Sequence, residues 1–424
     1  MRALRLITCG SVDDGKSTLI GRMLWDSDAL PHDVRARVDA GGSPNLAALT
    51  DGLQAEREQG ITIDVAWRYF HAPGRTFIMG DCPGHEQYTR NMVTAASQAE
   101  AALVLVDATK LEPTHKDVHL LPQTRRHTLL LQLLRVPEVV FVVNKLDAVP
   151  DPAQAFAAIS QAIHTLVTQA HLPRHTVLPV SALCGQNVVH RAAGWAGYHG
   201  PSLLEWLTSL PVATDTPTPA VAQALGAHFS VQWVQAHGHA AHTHMARRVL
   251  WGTNLAYPLA LGDRVTTWPS GQQATVAQVL DPTQALVGQL AGASDGGVVL
   301  DRELDVSRGD WLLGQPATDS RQARATLAWL DDEPLRVGHA YWARHGHRWV
   351  KARVSAVHHQ RNLNNLQPQP TDTLGMNAIG EVTLQLQQPL PLQPYATDRT
   401  LGSLLLVDPA SHASAGAALV QATA

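Results

Sequence analysis

Across the first 210 residues, short apolar runs alternate with stretches whose apolar positions recur at helical spacing. Leu4 to Cys9, Val65 to Phe70, Thr76 to Met79, Ala102 to Asp107, Val139 to Asn144 and Val177 to Ser181 read as strands. Between them, Lys16 to Trp25, Tyr88 to Gln98, Thr124 to Leu134 and Ala153 to Ala170 read as helices. Strands and helices in alternation predict a mostly parallel sheet wrapped by helices. After residue 210 the pattern changes. Pro211 to Pro219, rich in Pro and Thr, reads as a stiff polar linker. Short β-rich runs follow, broken by turn residues at Gly262-Asp263, Pro269-Ser270-Gly271, Arg308-Gly309-Asp310 and Gly346. That spacing suits small antiparallel β-barrels. The expected organisation is an α/β domain over 1–212, a linker over 213–220, and two barrels over 221–316 and 321–424.

Composition narrows this picture. With 45% apolar and 16% charged residues the chain is neither disordered nor fibrous. Residues 1–210 carry 18 Lys+Arg against 20 Asp+Glu, and the totals of 32 and 36 leave 14 against 16 for the rest. No basic domain stands out, so no nucleic-acid partner is expected. Cys9, Cys82 and Cys184 are far apart and form no CxxC, so neither a zinc finger nor a disulfide framework is indicated, and a reducing cytoplasm fits. The N-terminus is broken by Arg2 and Arg5, and no apolar run reaches membrane-spanning length, so neither export nor a membrane span is expected.

The chemistry-bearing residues follow the strands. Gly10-Ser11-Val12-Asp13-Asp14-Gly15-Lys16-Ser17-Thr18 contains GxxxxGK[ST] between a predicted strand and a predicted helix, the context that a phosphate-binding loop requires. Its glycines let successive amides point at phosphate oxygens, and the helix N-terminus adds positive charge. Lys16 is expected on the β and γ phosphates and Ser17 on Mg²⁺. Asp81-Cys82-Pro83-Gly84 follows another strand, so Asp81 is a candidate for Mg²⁺ and the Gly84 amide for the γ phosphate. Thr62 lies between the two motifs and is a candidate for both, in a segment that a bound nucleoside triphosphate would order.

Asn144-Lys145-Leu146-Asp147 ends the run Val139 to Val143. A carboxylate such as Asp147 accepts from guanine N1-H and the exocyclic amine, which adenine lacks on that edge. Asn144 and Lys145 would brace the base and its loops. Ser181-Ala182-Leu183, at another strand end, suits a backbone contact to the guanine carbonyl. His85 follows Gly84 and is the candidate to orient an in-line water. The expected catalytic set is His85, Lys16 and Thr62, with GTP or GDP and Mg²⁺ as the bound groups.

These motifs resemble the translation-factor GTPases, whose elongation factor Tu and 1-alpha members carry a GTPase domain followed by two barrels. The resemblance narrows at Asp51 to Ala66, Pro83 to Met92, Gly10 to Ile20, Gln123 to His127, Ser307 to Asp310 and Gly380 to Val382, which look like the large subunit of bacterial sulfate adenylyltransferase. The fold implied is an α/β P-loop GTPase domain followed by two small antiparallel β-barrels. The function implied is a GTPase paired, in a heteromer, with a smaller subunit that transfers adenylyl from ATP to sulfate, giving adenylyl sulfate and pyrophosphate. Two other readings share the nucleotide contacts: an elongation-factor-type GTPase delivering aminoacyl-tRNA, and a nucleotide-binding scaffold without useful turnover.

Several features depart from the family pattern. The 28–51 segment is short, and Leu111 to Pro122 reads as an insertion beside Gln123. His237 to His244 holds four histidines with metal-like spacing, but without Cys or carboxylate it reads as a polar loop. Arg308-Gly309-Asp310 reads as a turn. No second phosphate loop follows residue 210, so a fused adenylyl sulfate kinase is not expected.

Overall fold

The computed structural model describes residues 3–29, 46, 64–72, 74–85, 88–112, 118–172, 174–211, 226–235, 248–255, 257–292, 294–315, 319–362 and 367–423. The chain divides into two compact units, one of 1–212 with 362–367 and one of 213–361 with 368–424.

The first unit is built on a six-stranded sheet. Its strands are β1 (Leu4–Cys9), β2 (Ala66–Ala72), β3 (Arg75–Asp81), β4 (Ala101–Asp107), β5 (Glu138–Asn144) and β6 (His175–Pro179). The helices are α1 (Lys16–Asp26), α2 (Thr89–Ala96), α3 (Pro122–Leu133), α4 (Pro152–Ala170) and α5 (Leu203–Ser209). The strand order is β2-β3-β1-β4-β5-β6, parallel throughout except for the edge strand β2. Every residue of β4 is buried, which is why its sequence is a continuous apolar run. Edge strand β2 instead leaves Tyr69 largely exposed.

Leu6, Leu103, Leu105, Val140 and Val142 share one core with Leu19, Ile20 and Met23 of α1 and Leu203 and Leu207 of α5. On α4, Ile159, Ile163, Leu166 and Val167 are buried, the i, i+4, i+7, i+8 stripe of an amphipathic helix. Helix α5 is not among the expected elements. Its N-terminus is fixed by a capping box, in which Ser202 Oγ accepts from the Glu205 amide and Glu205 accepts from the Ser202 amide. At its other end the Arg75 guanidinium donates to the Leu207 and Thr208 carbonyls, placing a cation at the helix C-terminus.

After β1 the chain goes to β2 and β3 on one side and then returns to β4 on the other. This reversal opens a crevice at the carboxyl end of β1, where doubly wound sheets bind ligands. In register across the sheet, Thr8 pairs with Asp81 and Asp107 with Asn144, so the ends of three motif-bearing strands, β1, β3 and β5, meet there with the end of β4.

The second unit contains two closed six-stranded sheets. The first joins β7 (His228–Gln235), β8 (Val249–Asn254), β9 (Arg264–Trp268), β10 (Gln273–Leu280), β11 (Ser294–Leu300) and β12 (Trp311–Leu313), closing through β9 and β10. The second joins β13 (Asp319–Trp329), β14 (Ala340–His345), β15 (Arg348–Arg361), β16 (Ile379–Pro391), β17 (Ser403–Val407) and β18 (Ser414–Thr423), closing through β14 and β15. Closure removes free strand edges. Trp268, Trp311 and Leu313 of the first barrel belong to the second barrel's core cluster. Polar contacts join the two as well: buried His228 Nδ1 lies 2.8 Å from Asp398 Oδ2, and Trp268 Nε1 donates to Asp319 Oδ1 at 2.5 Å. Arg308-Gly309-Asp310 forms a turn in which Gly309 has φ 93° and Asp310 Oδ2 accepts from the Ser307 amide.

Candidate nucleotide site

The loop from Gly10 to Lys16 turns at three residues with positive φ: Gly10 (155°), Asp13 (62°) and Gly15 (90°). At Gly15 a Cβ would lie 2.5 Å from Asn144 Nδ2, so close approach of the guanine-side motif requires glycine there. Helix α1 begins directly after Gly15 with no side-chain cap and no acidic residue in its first turn. Its leading amides are thus left for an anion. Gly84 approaches the same loop, since a Cβ on it would meet Lys16 Nζ at 2.6 Å and Val12 N at 2.8 Å.

Lys16 is buried, and its ammonium donates to Ser11 O at 2.8 Å and Gly10 O at 3.3 Å. Burial pulls its pKa below the usual lysine range, opposed by the Asp81 and Asp14 carboxylates. A phosphate beside it would favour the charged form further. Ser17 Oγ donates to Asp81 Oδ2 at 3.0 Å, while Thr8 Oγ1 donates to Asp81 Oδ1 at 2.9 Å. A hydroxyl and a carboxylate held together beside a phosphate loop form the hard oxygen donor set that Mg²⁺ takes. Thr62 lies outside the described residues.

On the base side, Asn144 bridges three segments: Nδ2 donates to Asp14 O at 2.9 Å, and Oδ1 accepts from the Ala182 amide at 3.0 Å. Lys145 has φ 60°, and its Nζ donates to Asp13 O at 2.6 Å and pairs with Asp107 Oδ2 at 2.7 Å. Asp147 is exposed, and Cys184 Sγ donates to its Oδ2 at 3.9 Å, which brings Asp147 beside Ser181-Ala182-Leu183. The Ser181 hydroxyl accepts from the Cys184 amide, and Arg22 of α1 donates to Ala182 O at 3.2 Å and to Leu183 O. The expected phosphate, metal and base residues therefore converge, apart from Thr62.

Comparison with known proteins agrees with this arrangement. Residues 1–225 match the family of the elongation factor Tu GTP binding domain, and 322–421 match the GTP-eEF1A C-terminal domain-like family. The sulfate adenylyltransferase subunit 1 of Laribacter hongkongensis is 40% identical over 433 residues, covering 99% of this chain and 85% of that protein. The chain belongs to the sulfate adenylyltransferase subunit 1 family. The bifunctional enzyme NodQ of Azospirillum brasilense is 42% identical over 432 residues, and the match spans 99% of this chain but 66% of that relative. Among solved structures, a bacterial selenocysteine-specific elongation factor has a TM-score of 0.47 at 19% identity, covering 99% of this chain and 58% of that one.

In this member of the sulfate adenylyltransferase subunit 1 family, His85 is exposed, with its ring edge-on to Tyr88 at 6.4 Å. Behind Gly84 stands the Gln123 to His127 block on α3. Gln123 Nε2 donates to Gly84 O at 3.5 Å and lies 3.0 Å from His127 Nε2, while Arg126 donates to Gln123 Oε1 at 2.6 Å. His127 is wholly buried, and burial, with Lys16 and Arg126 adding to it, lowers its pKa to about 3. It is therefore a neutral prop for Gln123 at working pH.

Three residues of the site carry no motif signal of their own: Thr8, Asp107 and Lys110. Asp107 does end a predicted strand, the same signal that singles out Asp81. Burial raises its pKa, but hydrogen bonds from Lys145 and Thr109 outweigh that and hold the carboxyl below its usual range. His237 to His244 and residues 113–117 of the insertion lie outside the described residues, and among the described residues no cluster of three or more metal-ligating side chains occurs. No helix among them is long and apolar enough to cross a membrane.

Proposed function

We propose that this chain binds GTP with Mg²⁺, hydrolyses it, and thereby drives a partner catalytic subunit to form adenylyl sulfate and pyrophosphate from ATP and sulfate in the cytoplasm. The observation that carries the reading is the convergence of Lys16, Ser17, Asp81 and Gly84 at the carboxyl ends of β1 and β3, in a chain of the sulfate adenylyltransferase subunit 1 family.

The loop amides and the start of α1 bind the phosphate oxygens, and Lys16 turns from the Ser11 carbonyl to the β and γ phosphates. Ser17, Asp81 and Thr62 would hold Mg²⁺, which when bound neutralises charge on the phosphate oxygens. Asp147 accepts from the guanine edge, and the Ser181 to Leu183 backbone meets its carbonyl. His85 orients a water in line with the γ phosphorus, so that the water oxygen bonds to phosphorus as the bond to the β–γ bridging oxygen breaks. Loss of the γ phosphate then frees the Gly84 amide and the Thr62 segment. Such a switch drives a partner only if the two states bind that partner differently.

The test is pyrophosphate release from ATP and sulfate by the chain copurified with its partner subunit, with and without GTP. The reading predicts stimulation by GTP that a non-hydrolysable analogue does not reproduce over many turnovers. Equal rates in all three conditions would remove the coupling claim.

A further inference from the structure

Four consecutive carbonyls of the phosphate loop each accept a hydrogen bond from a side chain. Ser11 O accepts from Lys16 Nζ, Val12 O from Lys110 Nζ, Asp13 O from Lys145 Nζ, and Asp14 O from Asn144 Nδ2. The donors to Val12, Asp13 and Asp14 hold those carbonyls off the anion's side, which leaves the amides to face it, whereas Lys16 gives up Ser11 O for the phosphates. Lys16, Lys145 and Asn144 belong to the motifs described above. Lys110 does not. It ends the short turn of 3₁₀ helix Ala108–Lys110 that follows β4.

Lys110 is tied down on its other side as well. Its Nζ pairs with Asp14 Oδ1 at 2.9 Å and lies 3.9 Å from Asp107 Oδ2, and both carboxylate side chains are fully buried. Asp14 Oδ2 in turn accepts from the Ser11 amide at 2.6 Å. The Lys110 ammonium thus has one role at the Val12 carbonyl and another as counter-charge to Asp14, and the two can be separated by mutation.

We propose that Lys110 is a positioning residue for the guanine-nucleotide phosphates and acts through the Val12 carbonyl, which it keeps out of the anion's path. This rests on the guanine-nucleotide reading above. Without Lys110 the Val12 oxygen is free to turn inward and oppose the phosphates. Neutralising Asp14 does not substitute for that bond.

The experiment is titration of the full chain with fluorescent GDP and a GTP analogue, together with steady-state GTP turnover. Lys110→Met should weaken both nucleotides on the order of tenfold, as expected for losing one charge-assisted hydrogen bond. KM for GTP should rise while kcat changes little, because the contact is made equally in ground and transition states. Lys110→Arg, whose guanidinium can still donate to Val12 O, should restore most of the affinity. The double variant Lys110→Met with Asp14→Asn should stay as weak as Lys110→Met alone. Should Lys110→Met prove unstable, Lys110→Gln, shorter and uncharged, carries the same expectation. Wild-type affinity in Lys110→Met, or in Lys110→Gln where it stands in, overturns the proposal, and so does full recovery in the double variant. Failure of the wild-type chain to bind guanine nucleotide would instead strike the functional reading itself.

Discussion

Ser17 and Asp81, 64 residues apart in sequence, meet at 3.0 Å where the start of α1 faces the end of β3. Each is placed by a different element, and Thr8 on the neighbouring strand holds the second Asp81 oxygen. The carboxylate is thus pre-aimed, with its rotamer fixed from both sides. Asp81→Asn keeps the shape and removes the charge. It should weaken Mg²⁺-dependent GTP binding on the order of 10- to 100-fold, and higher Mg²⁺ should recover part of the loss. Nucleotide titration at several Mg²⁺ concentrations checks this, and an affinity indifferent to Mg²⁺ in both proteins would refute the assignment.

Base recognition gives a sharper readout. Asp147 stands beside the Ser181 to Leu183 segment, held by contacts that run through Asn144 and Cys184. A carboxylate there complements two guanine donors. With Asp147→Asn, the new amide donor should clash with the guanine amine and match the carbonyl that xanthine carries in its place. Binding should shift from GTP toward xanthosine triphosphate, as competition titration would reveal; an unaltered base preference counts against the contact.

How far the site was readable from sequence follows from how local each signal is. The phosphate loop, Asp81 to Gly84 and Asn144 to Asp147 each sit in one short run at a strand end, so strand pattern and motif point to them together. Core strands β4 and β5 are legible for the same reason: parallel strands buried on both faces are continuous apolar runs. Strand β6 is observed at His175–Pro179 rather than Val177 to Ser181. Its polar first residues, His175 and Thr176, pair with β5; Val180 still donates its amide to Val143 O, but the Ser181 amide turns to Gln186 O. Helix α5 escapes because its seven residues span only two turns, too few to show a period. Lys110 and Thr8 owe their roles to partners far along the chain, Val12 and Asp14 for the one and Asp81 for the other. No local spacing marks such pairings. In the barrels the turns are legible, but contacts such as His228 with Asp398 depend on two elements 170 positions apart coming together.

Two buried histidines set a pH dependence of stability. Burial lowers His127 to about 3, helped by Lys16 and Arg126, and lowers His345 to about 4 against the opposing pull of Leu401 O and Asp398. In the unfolded chain both titrate near ~6.5. Between that value and the folded ones, the unfolded state binds protons that the folded state does not. Stability should therefore fall as pH drops below ~6.5, by at most about 1.4 kcal/mol per pH unit for each residue. His345→Gln should flatten this slope between ~6.5 and about 4 in urea unfolding curves. Asp398 acts in a lower window. Burial raises its carboxyl, but His228 and the Leu401 and Thr400 amides outweigh that and hold it low, so its contribution is present above ~3.9 and lost below. An unchanged slope in the His345 variant would mean that the histidine protonates in the folded state.

The hydrolytic role proposed for His85 is separable from binding because of where the residue lies. Gly84, not His85, makes the close approach to Lys16 and Val12, and Gly84 is supported from behind by Gln123. His85 is exposed beyond it and shares its ring contact with Tyr88 rather than with the phosphate loop. Removing the imidazole should therefore leave the phosphate cradle intact and take away only the group proposed to position water. His85→Ala should slow single-turnover GTP hydrolysis by about 10²-fold or more, with GTP and GDP affinity within about threefold of wild type. His85→Gln keeps a side chain that can orient water and should retain more activity than the alanine variant. Collapse of nucleotide binding with hydrolysis per bound GTP preserved would show that His85 builds the cradle instead. Rapid-quench measurement on the preformed complex distinguishes the two, since it reads the chemical step apart from association.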